Sequence, residues 1–132
     1  MDESRRTPPS AADIEAMAAA ALRTIPRMLR RRVKDVVIRI AEFPDDETLA
    51  EMRMDSPFEL LGLYRGVSLL DKSVHDVAND VDMIFLYRRP LLDYWCEENI
   101  ALDQLVRHVL IHEIGHHFGF SDADMERIET EV

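Results

Sequence analysis

Four histidines, a glutamate and two aspartates fall within HVLIHEIGHHFGFSDAD, residues 108–124, among residues that are otherwise mostly apolar. His112 and His116 are four apart, so on a helix they differ by ~40° in direction and project from one face. Two imidazoles at that spacing can grip one metal ion. Glu113 points nearby without being placed as a ligand, and can take a proton from a water that the ion activates. Two residues after His116 comes Gly119, and two residues after that, Asp122. Glycine ends a helix readily because it accepts a left-handed backbone without a steric penalty. The chain can therefore turn and bring Asp122 back over the two histidines. Two histidines and one carboxylate leave a fourth position open, the layout of a catalytic zinc site and not of a closed structural one. Zn2+ is the expected cofactor, and another divalent transition metal would also suit the donors.

Each of these residues also has a plainer reading. Leu102, Leu105, Val106, Val109, Leu110, Ile111, Ile114 and Phe118 surround the segment on most sides, which predicts a central, buried helix. A buried His112 or His116 can simply hydrogen-bond within a core. Buried Glu113, however, needs compensation, because an unpaired carboxylate is expensive to desolvate. A cation meets that need. Asp122 could instead cap a final helix together with Ser121. His117 points ~100° away from His116 and reads as packing or surface. His108, one turn before His112, reads as core or solvent with a supporting role as the alternative. His75 reads as a loop histidine.

The rest of the chain must hold that helix in place. Ser10 and Asp13 resemble a capping box, followed by Ile14, Met17, Ala18 and Ala21 at helical spacing and by Pro26 as a stop. A short basic helical segment, RMLRRR, follows. VKDVVIRIAEF (33–43) is the clearest strand, and PDDETLAEM (44–52) has the acidic first turn of a short helix. DSPFELLGLYRG (55–66) reads as an ordered loop, and VSLL (67–70) as a possible short strand. VDMIFLYRRP (81–90) is a second strand stopped by Pro90, with a helix from Leu91 to about Glu98. Asn99 is the expected cap of the longest helix, 100–118, and Ser121 with Asp124 that of a last one. These elements predict an α+β fold, with residues 1–9 a flexible N-terminus and 10–132 one domain.

Composition narrows the function. The net charge of −10 is uneven: residues 1–39 hold nine Lys/Arg against five Asp/Glu, and the remainder seven against twenty-one. A region so acidic around the candidate site repels phosphates, which argues against a nucleic-acid partner. The basic Arg30–Arg32 run is too short to reverse that. No stretch reaches the ~18 uninterrupted apolar residues of a membrane span, and the N-terminal alanine-rich run, interrupted by Asp13 and Glu15, lacks the order of a secretory signal. The single cysteine, Cys96, excludes an intrachain disulfide. A soluble, cytoplasmic protein is expected.

The string H-E-x-x-H-x-x-G-x-x-D resembles the extended zinc signature of the metzincin branch of zincin metallopeptidases, with aspartate in place of the usual third histidine. Across roughly residues 13–128 the chain is similar to the short bacterial zincin-like metallopeptidases, through LLGLYRG (60–66), IFLYRRPLL (84–92) and HEIGHHFGFSD (112–122). The resemblance implies a minimal zincin fold, a small mostly antiparallel or mixed sheet on a central metal-binding helix. It also implies His112, His116 and Asp122 as ligands and Glu113 as base. One feature of metzincins is missing: they carry a methionine turn well downstream of the third ligand. Only ten residues follow Asp122 here, and Met125 is not counted as that turn.

The expected activity is hydrolysis of peptide bonds in a peptide or protein substrate. MIFLYRR (83–89) would border the cleft and pair with an extended substrate, and Tyr64, Arg65 and Tyr87 are oxyanion candidates with structural roles as the simpler reading. The alternative is a metal-stabilised binding or regulatory module without turnover. A non-haem iron oxygenase ranks last, because it leaves Glu113 unexplained.

Overall fold

A computed structural model of the chain describes residues 7–33, 35–66 and 82–130. Among them are six helices and a three-stranded mixed sheet, so the α+β expectation holds. VSLL and His75 lie outside the described residues.

The sheet centres on Met83–Tyr87 (β3). On one side it pairs in parallel with Val37–Ala41 (β1), from Val37 opposite Met83 to Ala41 opposite Tyr87. On the other it pairs antiparallel with Gly62–Arg65 (β2), Gly62 opposite Leu86 and Arg65 opposite Met83. The order is therefore β1-β3-β2. Two of the sequence-based expectations change here. The stretch 55–66 is not only loop: after a 3-10 turn at Pro57–Glu59 it forms β2. And β3 is the central strand, with both margins occupied, so it cannot add an extended substrate. Glycines at both ends of the Leu63–Arg65 segment hide β2 from a composition reading, because glycine weakens strand propensity. Its strand geometry is instead imposed by pairing to β3.

Side chains alternate across the sheet, as the period of two requires. Ile84 and Leu86 are fully buried toward the helices, while Phe85 and Tyr87 stack on the opposite face. The helical layer is led by Ala11–Thr24 (α1) and Leu102–His117, which becomes α5 once Arg27–Arg30 (α2), Asp46–Glu51 (α3) and Arg88–Glu97 (α4) are counted. Helix α5 packs on α1, β2, α4 and the final helix Asp122–Thr130 (α6). Its buried residues, Leu102, Leu105, Val106, Val109, Leu110, Ile111, Ile114 and Gly115, follow the three-four spacing of an amphipathic helix. They meet Ile14, Ala18 and Ala21 of α1 in one core.

Local signals set most helix ends. Ser10 and Asp13 form the expected reciprocal capping box of α1. Asp45 caps α3 through a 2.7 Å bond from the Thr48 N–H. Helix α4 starts at Arg88, three residues before the expected Leu91, and runs straight on from β3. Pro90 sits in its first turn, where a missing N–H leaves no helical bond unmade. Helix α5 begins after Ala101 with no side-chain cap, so Asn99 does not play that part. No described helix is long and apolar enough to cross a membrane.

Candidate metal centre

His108, His112 and His116 recur every four residues and form a ridge along one side of α5. The His108 and His112 rings are 4.1 Å apart between centroids, and those of His112 and His116 5.9 Å. Across from this ridge runs α6, which presents two carboxylates seven residues apart, Asp122 and Glu129. A seven-residue interval is two turns, so both project from the same side of α6.

The bend between the helices has the form expected of a Schellman turn. The Gly119 N–H donates to the His116 carbonyl at 3.2 Å, and the Phe120 N–H to the Gly115 carbonyl at 2.8 Å. Gly119 has φ of +80° and open space where a Cβ would be. Its requirement is therefore conformational, not steric. We expect Gly119→Ala to lose about 1–2 kcal/mol in urea unfolding, the penalty of a left-handed backbone in a residue with a Cβ. A change within error would show that the bend can relax. Past the bend, Ser121 and Asp124 make reciprocal cap bonds at 3.1 and 3.2 Å. Asp124, and not Asp122, is thus the carboxylate at the α6 N-terminal amides, and bonds from Ser121 hold its pKa below the usual carboxylate value. Asp122 is left 88% exposed, with Oδ1 3.5 Å from His116 Nε2.

Two glycines decide how closely α5 is approached from either side. On β2, a Cβ at Gly62 would come within 2.8 Å of Val109 Cγ1, so the helix lies directly against that strand. On α5 itself, a Cβ at Gly115 would come within 2.7 Å of Met125 Cγ, and nearer still to the sulfur, so α6 docks into the hollow that Gly115 leaves. Neither glycine stands out in the sequence, where Gly115 fills a variable position of the motif. The fully buried Met125 lies between Asp122 and Glu129 on α6 and fixes that helix against the histidine ridge.

Glu113 faces a different neighbour. Its Oε1 accepts a 3.3 Å bond from the Tyr64 backbone N–H on β2. Burial pushes its carboxyl above the usual pKa, with the Tyr64 N–H and the nearby His116 acting in the opposite direction. A proton acceptor that is partly desolvated yet hydrogen-bonded in place is what a general base needs.

The oxyanion candidates are engaged elsewhere. The Tyr64 hydroxyl donates to Asp82 at 2.8 Å, and burial followed by that carboxylate raises its pKa well above the usual phenol value. Its ring stacks on His117 at 4.0 Å, which accounts for His117 as packing. Arg65 bonds Thr48 and Glu51. Tyr87 is buried, which raises its pKa as well. A groove of about 1040 Å³ also lies away from the histidines, lined by residues such as Met17, Phe58, Leu92, Trp95 and Leu102.

Donor atoms of His112, His116 and Asp122 lie within 4.8 Å of one another. Ligands ~2.1 Å from a tetrahedral ion sit roughly 3.4 Å apart, so a modest contraction would close this set on zinc. The side chains are exposed enough to make it, and the two-imidazole, one-carboxylate chemistry suits the ion. Residues 33–132 match the family model of zincin-like metallopeptidases. The chain belongs to that family. No curated protein matches it. Membership in the zincin-like family makes a metal, typically zinc, the expected occupant of a histidine and carboxylate cluster of this kind.

The expectations missed Glu129. Its Oε1 lies 2.9 Å from His112 Nε2. Its spacing of seven from Asp122 was the available signal, since a residue two turns on repeats the same face.

Proposed function

We propose that this zincin-like chain is a zinc-dependent metallopeptidase in which His112, His116 and Asp122 hold the ion and Glu113 is the general base. The observation carrying this reading is the separation of roles on one helix. His112 and His116 of α5 converge with Asp122 of α6, while Glu113 turns toward β2 and is held there by a backbone N–H. Bound zinc would polarise the scissile carbonyl and acidify the attacking water. Glu113 Oε2, the oxygen not engaged by Tyr64, would accept the proton from that water and return it to the leaving nitrogen. Burial, which favours the protonated carboxyl, assists the first transfer. The Tyr64 N–H keeps the carboxyl from rotating away. Strand β2, an edge strand like β1 but the one that bonds Glu113, takes over from β3 as the margin along which an extended peptide would lie.

The test uses the full chain, stripped of metal and reloaded with zinc, on a mixed peptide library read by mass spectrometry. We expect about one zinc per chain and cleavage that requires it. Asp122→Ala and His116→Ala should each weaken zinc by about ten-fold or more and reduce cleavage in parallel. Zinc uptake without cleavage of any library member would move the assignment to the second reading, a metal-stabilised binding module. That reading draws on the position of the large groove, which lies apart from the histidine ridge.

A further inference from the structure

We infer that His108, His112 and Glu129 form a second seat for a divalent transition-metal ion, sharing His112 with the seat proposed above. One carboxylate spans two imidazoles here: Glu129 Oε2 is 2.9 Å from His108 Nδ1, and Oε1 is 2.9 Å from His112 Nε2. The three residues offer donor atoms within 4.8 Å of one another, as the motif residues do. They are also the better enclosed set. The two ligands it does not share, His108 and Glu129, are 47% and 24% exposed, against 57% and 88% for His116 and Asp122.

The condition of Glu129 Oε1 is the deciding feature. It is shielded from solvent and, despite its closeness to His112, makes no hydrogen bond. A buried carboxylate oxygen without a partner is destabilising by itself. Glu129 Oε1 and His112 Nε2 come within 2.9 Å with no hydrogen bond between them, which leaves both available to a cation. A cation there would satisfy the carboxylate and both imidazoles together, with three protein ligands and an open fourth position. Nitrogen and oxygen donors of this kind suit zinc, cobalt or nickel and not calcium.

Because both seats draw on the single imidazole of His112, an ion in one competes with an ion in the other. An ion beside Glu129 lies two turns of α6 away from Asp122. The inner seat is therefore a competing position for the ion, and it would divide metal between a berth completed by Asp122 and one that omits it.

The seat goes beyond the peptidase reading and does not need Asp122, which allows the two to fail separately. Metal-free full-length chain would be titrated with Co2+, read by visible absorption, and with zinc, read by calorimetry. His116→Ala/Asp122→Ala removes the motif seat. We expect it to keep about one equivalent of Co2+, and Glu129→Gln added to it to weaken binding by about ten-fold or more. Circular dichroism checks folding, and His116→Asn/Asp122→Asn provides a second version of the same test should the alanine pair be unstable. Folded double variants without Co2+ bands or zinc uptake would overturn the second seat and leave the motif seat standing. Unchanged affinity on adding Glu129→Gln would overturn it too, since two histidines alone would then be binding the ion. If instead the double variants bind like wild type and His108→Ala/Glu129→Gln loses the metal, the second seat stands and the ligand set of the preceding section falls.

Discussion

Glu113→Gln is expected to lower kcat/KM by about 10²- to 10⁴-fold, the usual contribution of a positioned general base, while zinc content stays unchanged. Glutamine is close to isosteric, and its carbonyl oxygen can still accept the Tyr64 N–H bond that fixes Glu113. The substitution thus removes the proton acceptor without moving its backbone or the histidines. A wild-type rate in a metal-loaded Glu113→Gln chain would end the proposed mechanism.

The same variant carries a stability signature in the metal-free protein. Burial raises the folded-state pKa of Glu113, so between its unfolded and folded values the native chain holds more protons than the unfolded chain. Stability attributable to this group therefore falls as pH rises through that window, and above it the ionised carboxylate is a net destabiliser. Glutamine lacks this penalty. Metal-free Glu113→Gln should melt higher than wild type at neutral pH, and the gap should close once pH drops below the unfolded value near 4.3. Thermal scans at the two pH values check the sign. A gap that widens in acid would mean the carboxylate is stabilising, contrary to its burial.

Gly115→Ala is expected to destabilise the fold and weaken zinc binding together. Helix propensity alone says that alanine should stabilise α5 by about 1 kcal/mol. The structure says the reverse, because the new Cβ would enter space held by Met125. Met125 is fully buried, so making room requires its side chain to repack within the core or α6 to shift. Overpacking of this kind costs about 1–3 kcal/mol, enough to exceed the propensity gain. Because Asp122 and Glu129 both ride on α6, zinc affinity should fall together with the melting temperature. A double-mutant cycle with Met125→Ala tests the cause: the two substitutions should together cost less than the sum of their separate effects. A more stable Gly115→Ala with normal zinc uptake would show that α6 docks more loosely than the contact implies.

Between Glu113 and Gly115 lies the difference between what sequence order can and cannot specify. Contacts within one helix or across one bend are short-range, and the chain writes them directly. The four-residue repeat of His112 and His116, the amphipathic spacing of α5, the Ser10–Asp13 box and the turn at Gly119 were all legible for that reason. So was the likeness to zincin-like peptidases, which the family match bears out. Elements defined by partners elsewhere in the chain were not legible. Strand β2 has a glycine at its start and exists because β3 supplies its hydrogen bonds. The anchor of Glu113 is a backbone N–H 49 residues away, and a backbone group carries no residue type that a motif could show. Glu129 joins the histidine ridge only because Met125 fills the hollow at Gly115. The sequence by itself determined the chemistry on α5, since side chains on one helix keep a fixed angular relation. Only the tertiary structure decided what faces that helix, since β2 and α6 are brought to it by packing, and packing distance depends on absent side-chain atoms at Gly62 and Gly115 as much as on those present.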